Sequence, residues 1–271
     1  MTAVGGQTGM QRIRAAFASA AADGAAALMP YMMAGYPTLD DSRRIAAAYV
    51  DGGADLIELG IPFSDPLADG PVIHAADVAA LQGGVRTVDA LSVAREVSAQ
   101  VPVVVMCYVN PILARGVERF ADMLVDVGAS GLIVPDLPLE ESAEVRAVCD
   151  ARGIALVSLL APTTPPERLR LIGEHARGFI YAVGVTGTTG ERAELATGAA
   201  DLIATAHAST DVPVALGFGI GTPAQARAAA DAGADGVIVG TRLVRAAGED
   251  PASVGALVAE FAGALRDRPI G

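Results

Sequence analysis

Three carboxylates crowd one short stretch, Glu58-Leu-Gly-Ile-Pro-Phe-Ser-Asp65-Pro-Leu-Ala-Asp69-Gly-Pro71. The first sits inside a run, 54–60, whose other residues read as a buried strand. A charged group there costs free energy unless something pairs with it or uses it. Burial also displaces its pKa, which is how acid/base catalysts are made. Asp65 and Asp69 follow in a loop punctuated by Pro and Gly, where they either join Glu58 around a ligand or simply form turns. A second constellation is glycine-rich: Gly217-Phe-Gly219-Ile-Gly221-Thr222, and later Gly240-Thr241. Such loops let backbone N–H groups approach phosphate oxygens at a helix N-terminus, although glycines also serve tight turns. A third is Gly184-Val-Thr-Gly187-Thr-Thr189-Gly190-Glu191, small and polar, suited to a closing lid or to a plain surface loop. Tyr31, Tyr108 and Tyr181 either line a flat aromatic pocket or fill the core. His74, His175 and His207 lack the spacing of a metal site, so no metal is expected.

Composition narrows the chemistry. All 19 basic residues are Arg, so the chain has no lysine for a Schiff base, a pyridoxal phosphate anchor or a P-loop. An aldol-type lyase built on this sequence must use acid/base chemistry or a metal. A net charge of -12 argues against nucleic acid or an anionic membrane as partner. An anionic substrate must then be held by backbone donors or a few Arg. Cys107 and Cys149 show no metal or redox spacing, which fits a reducing cytoplasm. The longest apolar run, 101–109, is far below the ~20 residues of a membrane span.

The elements that must position these residues are set by an internal repeat. Asp51-Gly-Gly-Ala-Asp-Leu-Ile-Glu-Leu-Gly60, Asp126-Val-Gly-Ala-Ser-Gly-Leu-Ile-Val-Pro135 and Asp231-Ala-Gly-Ala-Asp-Gly-Val-Ile-Val-Gly240 align without gaps. Each reads as a helix end with a glycine stop, a turn and a buried strand. Glu58 falls where the other copies carry Ile133 and Ile238. Further apolar runs at 27–33, 102–107, 155–160, 179–183 and 214–217 bring the strands to about eight. Helical patterns lie between them at 40–51, 87–99, 116–127, 141–152, 165–176, 199–208 and 222–232, with Asp40, Thr87 and Thr222 as expected N-caps. An amphipathic N-terminal helix precedes them. The expected fold is α/β, a (β/α)8 TIM barrel forming a single domain over 1–271 with an extra N-terminal helix; a doubly wound open sheet is the alternative. In such a barrel the active site lies at the strands' C-terminal ends, and phosphate is often held after strands seven and eight.

The stretch from Glu58 to Pro71 resembles the signature of the tryptophan synthase alpha chain family nearly letter for letter. The resemblance extends through Met106-Cys-Tyr-Val-Asn110-Pro111, Val134-Pro-Asp136-Leu-Pro138, Thr189-Gly190, Gly217-Phe-Gly219-Ile220 and Gly240, from Pro30 to about Phe261. It implies retro-aldol cleavage of indole-3-glycerol phosphate to indole and glyceraldehyde 3-phosphate, with Glu58 as general acid/base and Asp69 beside the indole nitrogen. It also implies a pocket of Tyr31, Ile73, Met106, Tyr108 and Tyr181, and a phosphate site of Gly190, Gly219, Gly240 and Thr241. Thr189 matches a residue linked to loop closure over Asp69. Thr241 stands where serine is frequent and keeps the hydroxyl; Gly184 lies in a lid that varies within the family. The resemblance further implies no cofactor in this chain, and a beta subunit carrying pyridoxal phosphate as partner in an alpha2-beta2 heterotetramer. The loop around Pro62 and Asp65, with Asp136, would meet that partner. Two rivals are an indole-glycerol-phosphate synthase, which needs the absent lysine, or a phosphoribosyl isomerase. A third is a non-catalytic phosphate-binding barrel that regulates a partner, against which an intact Glu58 and Asp69 speak.

Overall fold

The computed structural model describes residues 6–183, 198–217 and 219–267. Its strands are β1 (Ala27–Met33), β2 (Ile57–Gly60), β3 (Val103–Met106), β4 (Gly131–Ile133), β5 (Ala155–Leu160), β6 (Ile180–Val183), β7 (Val214–Gly217) and β8 (Gly236–Val239). All pair in parallel and in chain order, and β8 returns to β1, closing a barrel. Closure rules out the open doubly wound sheet. The helices are α1 (Gly9–Ala22), α2 (Leu39–Asp51), α3 (Pro71–Gln82), α4 (Thr87–Val97), α5 (Val109–Leu113) and α6 (Val117–Asp126). They continue with α7 (Ala143–Arg152), α8 (Pro166–His175), α9 (Ala199–His207), α10 (Pro223–Asp231), α11 (Thr241–Glu249) and α12 (Val254–Arg266).

The strands read as unbroken apolar runs because both faces are buried. Successive side chains point to opposite faces. One set, including Ala27, Met29, Leu56, Val104, Ile133, Val157, Phe179, Ala215 and Ile238, fills the lumen. The other, including Leu28, Ile57, Val103, Val105, Leu132 and Val237, belongs to the layer between strands and outer helices. Glu58 is two residues beyond Leu56 and so shares its lumen-facing side, and the isoleucines of the aligned copies are both lumen residues.

The N-terminal helix has a definite task. Thr8 and Gln11 form a capping box at its start, and Ile13, Phe17 and Ala20 are its buried face. Ile13 and Phe17 complete the lumen cluster, with the Phe17 ring 5.6 Å from that of Phe179. Arg12 ties the helix to the barrel floor, donating from Nη1 to the Gly128 carbonyl at 3.2 Å and from Nη2 to the Ser98 carbonyl. The helix is a plug for the barrel's N-terminal end.

Two expected caps shift. Helix α2 is capped by Thr38, whose extended backbone lets Oγ1 accept from Asp41 N at 3.1 Å, while Asp40 lies in the first turn. There its charge favours the helix dipole instead. Thr87 is the first helical residue of α4, and Arg86 stands before it, with its backbone N–H donating to Asp89 at 3.0 Å. Thr222 caps α10 as expected, in a reciprocal box with Gln225. Helices α3, α5, α11 and α12 go beyond the pattern-based expectation. In α3 the reason is visible: Val72, Val78 and Leu81 make its outer side apolar too, blurring the helical period.

Candidate active site

Glu58 stands in register with Tyr31 of β1 and Val104 of β3. It is 1 % exposed, and its Oε2 has no hydrogen-bond partner among the described residues. A buried polar atom is rarely left in that state without a use. Burial, reinforced by the charge of Asp69, pushes its carboxyl up to about 8. At neutral pH this side chain is therefore a protonated acid.

The chain leaving β2 is fixed at several points. Ile61 N donates to the Met106 carbonyl at 2.9 Å, and Phe63 N donates to Asp77 Oδ1 at 3.0 Å. Asp69 N reaches the Pro66 carbonyl at 3.1 Å, and Gly70 then begins α3 with Pro71 in its first turn. Proline suits that position because its ring presets the helical φ and its missing N–H has no partner to lose. The Tyr108 hydroxyl donates to Asp69 Oδ2 at 2.9 Å and accepts from Ala68 N at 3.0 Å. Burial raises the Asp69 carboxyl to about 6, with the Tyr108 hydrogen bond and the His74 charge pulling it back. Asp65 is exposed and accepts from the Ser64 hydroxyl at 2.6 Å, which is the turn-forming role.

Around the two carboxylates lies an apolar wall. Tyr31, Met33, Ile73, Ala76 and Val244 form one buried cluster, with Met106 packed against both it and the lumen. Tyr181 stands on β6 in the lumen cluster. Two glycines make room for the rings. A Cβ on Gly60 would lie 2.2 Å from the Tyr31 hydroxyl, and one on Gly217 would lie 2.5 Å from that of Tyr181. Side chains at these strand ends would thus evict tyrosines that face the mouth. Tyr31 Oη has no hydrogen-bond partner among the described residues, and burial raises both phenols well above their usual range, so they stay neutral. This is a largely apolar lining with neutral phenols beside two carboxyls.

Gly219 follows β7, and Gly240 and Thr241 begin α11 directly after β8, with Thr241 buried. The first N–H groups of a helix lack partners within it. The glycine run is narrower as an anion site than its sequence suggests. Gln225 Oε1 accepts from Gly221 N at 2.8 Å and Thr222 N at 3.0 Å, leaving Gly219 and the start of α11 as the candidates.

Thr189, Gly190 and the rest of the expected lid lie outside the described residues. Asp136 accepts from Val109 N at 2.9 Å, tying the end of β4 to the segment after Tyr108. Among the described residues no cluster of three His, Cys, Asp or Glu side chains is placed to hold a metal. His74 lies on α3 near Asp69, whereas His175 and His207 end α8 and α9. Sequence reasoning missed Asp77 and Phe63. Asp77 shares the buried stripe of α3 with Ile73, Ala76 and Ala80, and that spacing is its signal. The Phe63 ring stacks on Tyr108 with centroids 5.1 Å apart.

With this geometry in place, the comparisons with known proteins are specific. The family profile described as tryptophan synthase alpha chain matches residues 17–266. The tryptophan synthase alpha chain of Synechococcus elongatus is 49% identical over 87% of this chain and 89% of its own length. That of Methanosarcina mazei is 47% identical over 81% of this chain and 80% of its own. A solved structure of Mycobacterium tuberculosis tryptophan synthase superposes with TM-score 0.89 at 41% identity, covering 94% of this chain and 98% of that one. The carboxylates, the tyrosine wall and the glycine ends thus sit on a shared barrel, and the chain belongs to the tryptophan synthase alpha chain family, enzymes of tryptophan biosynthesis.

Proposed function

We propose that Glu58 and Asp69 carry the family's reaction in this chain, the retro-aldol cleavage of indole-3-glycerol phosphate to indole and glyceraldehyde 3-phosphate. The observation that carries this reading is the pair of buried carboxyls whose surroundings set them apart, Glu58 near 8 and Asp69 near 6. Such a split assigns an acid and a base within one site. At neutral pH Glu58 holds a proton to deliver to indole C3. Asp69, ionised and steadied by Tyr108, accepts the indole N–H and offsets the positive charge that grows on the ring. Glu58, then ionised, takes the proton of the glycerol hydroxyl next to the breaking bond, and the carbon–carbon bond opens to an aldehyde. The electron pair of the broken bond returns to the ring and neutralises its positive charge, and the delivered proton remains as the C3 hydrogen of indole.

Tyr31, Ile73, Met106, Tyr108 and Tyr181 would hold the flat ring, and Gly219, Gly240 and Thr241, with Gly190 and Thr189, the phosphate and the closed loop. Acid/base chemistry of this kind needs no cofactor in the chain. The M. tuberculosis neighbour is titled tryptophan synthase, which supports a beta subunit as partner, with pyridoxal phosphate there and an alpha2-beta2 assembly. Among the described residues no helix is long and apolar enough to cross a membrane; the cytoplasm and a single barrel domain over 1–271 complete the reading. The test is to incubate the purified chain with indole-3-glycerol phosphate, with and without a beta subunit, and follow indole. Release is expected in both cases and faster with the partner; no release in either would end the lyase assignment.

A further inference from the structure

A buried carboxylate outside the proposed chemistry sits one bond away from it. Asp77 is buried on α3, and its Oδ1 accepts from Phe63 N at 3.0 Å across the whole catalytic loop. Its Oδ2 has no hydrogen-bond partner among the described residues. An aspartate in a helix's apolar stripe, with half its hydrogen-bonding capacity unused, is a poor stabiliser. An alanine or leucine would pack there at less cost, so the residue's use must lie in the one bond it makes.

That bond reaches Asp69 in two steps. Phe63 is held by its backbone, and its ring stacks on Tyr108 at 5.1 Å and 25°. Tyr108 in turn holds Asp69 Oδ2 and Ala68 N from the other end of the same loop. The loop between β2 and α3 is thus clamped near both ends, by Asp77 at Phe63 and by Tyr108 at Ala68 and Asp69. The two clamps touch through the ring stack. Between them Ser64, Asp65 and Leu67 are exposed and Pro66 is buried.

We propose that Asp77 is a positioning residue for the cleavage reaction, anchoring Phe63 so that its ring fixes Tyr108 and, through it, Asp69. The inference rests on the proposed role of Asp69. Burial first, and then the nearby charge of Asp69, raises the Asp77 carboxyl to about 7. The tether is insensitive to this, since the carbonyl oxygen of a neutral carboxyl accepts an N–H as well. Misplacing a catalytic group by a fraction of an ångström costs turnover more than binding, because the loss falls on alignment in the transition state.

The test compares Asp77→Ala, which removes the acceptor, with Asp77→Asn, whose side-chain oxygen can keep it. Two readouts are taken in the full-length chain: exchange of the Phe63 amide hydrogen, and kcat and KM for indole release. The tether predicts that Asp77→Ala speeds Phe63 exchange at least about tenfold and lowers kcat about tenfold, with KM within about threefold. Asp77→Asn should recover most of both losses. A residue that merely supports the fold would lower the melting temperature in both variants and leave kcat per folded molecule unchanged; that result overturns the proposal. Unchanged Phe63 exchange in Asp77→Ala overturns it as well, whatever the activity. Failure of the underlying lyase reading would show separately, as absent indole release by the unmodified chain.

Discussion

The two ends of this barrel treat polar groups in opposite ways. At the N-terminal end each charge near the lumen is answered. Asp55 Oδ2 accepts from Leu28 N at 2.8 Å and Oδ1 from Arg266 at 3.3 Å. Asp235 Oδ2 accepts from Val214 N at 2.8 Å and faces His207 at 3.4 Å. Arg12 spends its guanidinium on the Gly128 and Ser98 carbonyls and the Ser130 hydroxyl. Above these, α1 seals the opening with Ile13 and Phe17. At the C-terminal end, Glu58 Oε2, Asp77 Oδ2 and Tyr31 Oη are buried without a hydrogen-bond partner among the described residues. One end is finished as a scaffold, and the other is left open where a substrate could complete it. The contrast arises within one repeat: Glu58 and Ile238 occupy the same column, yet only the first brings an ionisable group there.

The comparison breaks most sharply at Glu58. Glu58→Gln should lose about 10²- to 10⁴-fold in kcat, the range of a positioned acid/base group. Asp69→Asn should lose about 10²- to 10³-fold, as a lost electrostatic partner does. Near-normal turnover in either would remove that residue from its role. The same Glu58→Gln change should help the fold. Its carboxyl binds a proton more tightly folded than unfolded, so its contribution is fully present below the unfolded value of 4.5 and is lost as pH rises towards about 8. Relative to the parent, the variant should therefore gain stability with rising pH, by a few kcal/mol at pH 9. Urea unfolding at pH 5 and pH 9 reads this directly.

The plug end answers differently. Phe17→Ala removes a ring that packs on Phe179 in the lumen, and should cost about 3 to 5 kcal/mol of stability. Turnover per folded molecule should stay within about twofold, because no bond joins this helix to the mouth. A large fall in kcat with little loss of stability would show that the ends are coupled after all.

How much of this could be read beforehand depended on contrast. Glu58 stood out because a repeat supplied two structural equivalents filled with isoleucine. Asp69 stood out less, since Asp-Gly-Pro is also what a turn looks like, and its place beside the indole nitrogen came from resemblance. The strands were legible as apolar runs because the barrel buries both faces, and that left their bounds vague: 54–60 shrinks to Ile57–Gly60. The caps were less secure. Thr38, Asp40 and Asp41 all suit a helix start, and only the backbone at Thr38 decides between them. Asp77 stayed hidden because α3 is apolar on more than one side, so a lone aspartate looked like the solvent face. The pairing of Tyr108 with Asp69 joins residues far apart in sequence, and no local pattern announces it. Thr222, by contrast, was announced as a cap, but not Gln225 as the group that occupies two N–H donors of the glycine loop.

The central claim is that Glu58 is a neutral acid at working pH. It is tested most directly by titrating the carboxyl carbons of glutamate-labelled protein, in the parent chain and in Glu58→Gln. The account predicts one glutamate resonance that titrates near 8 and vanishes in the variant. If every glutamate in the parent titrates below about 5, as solvated carboxylates do, Glu58 is ionised at neutral pH and the proposed proton delivery is wrong.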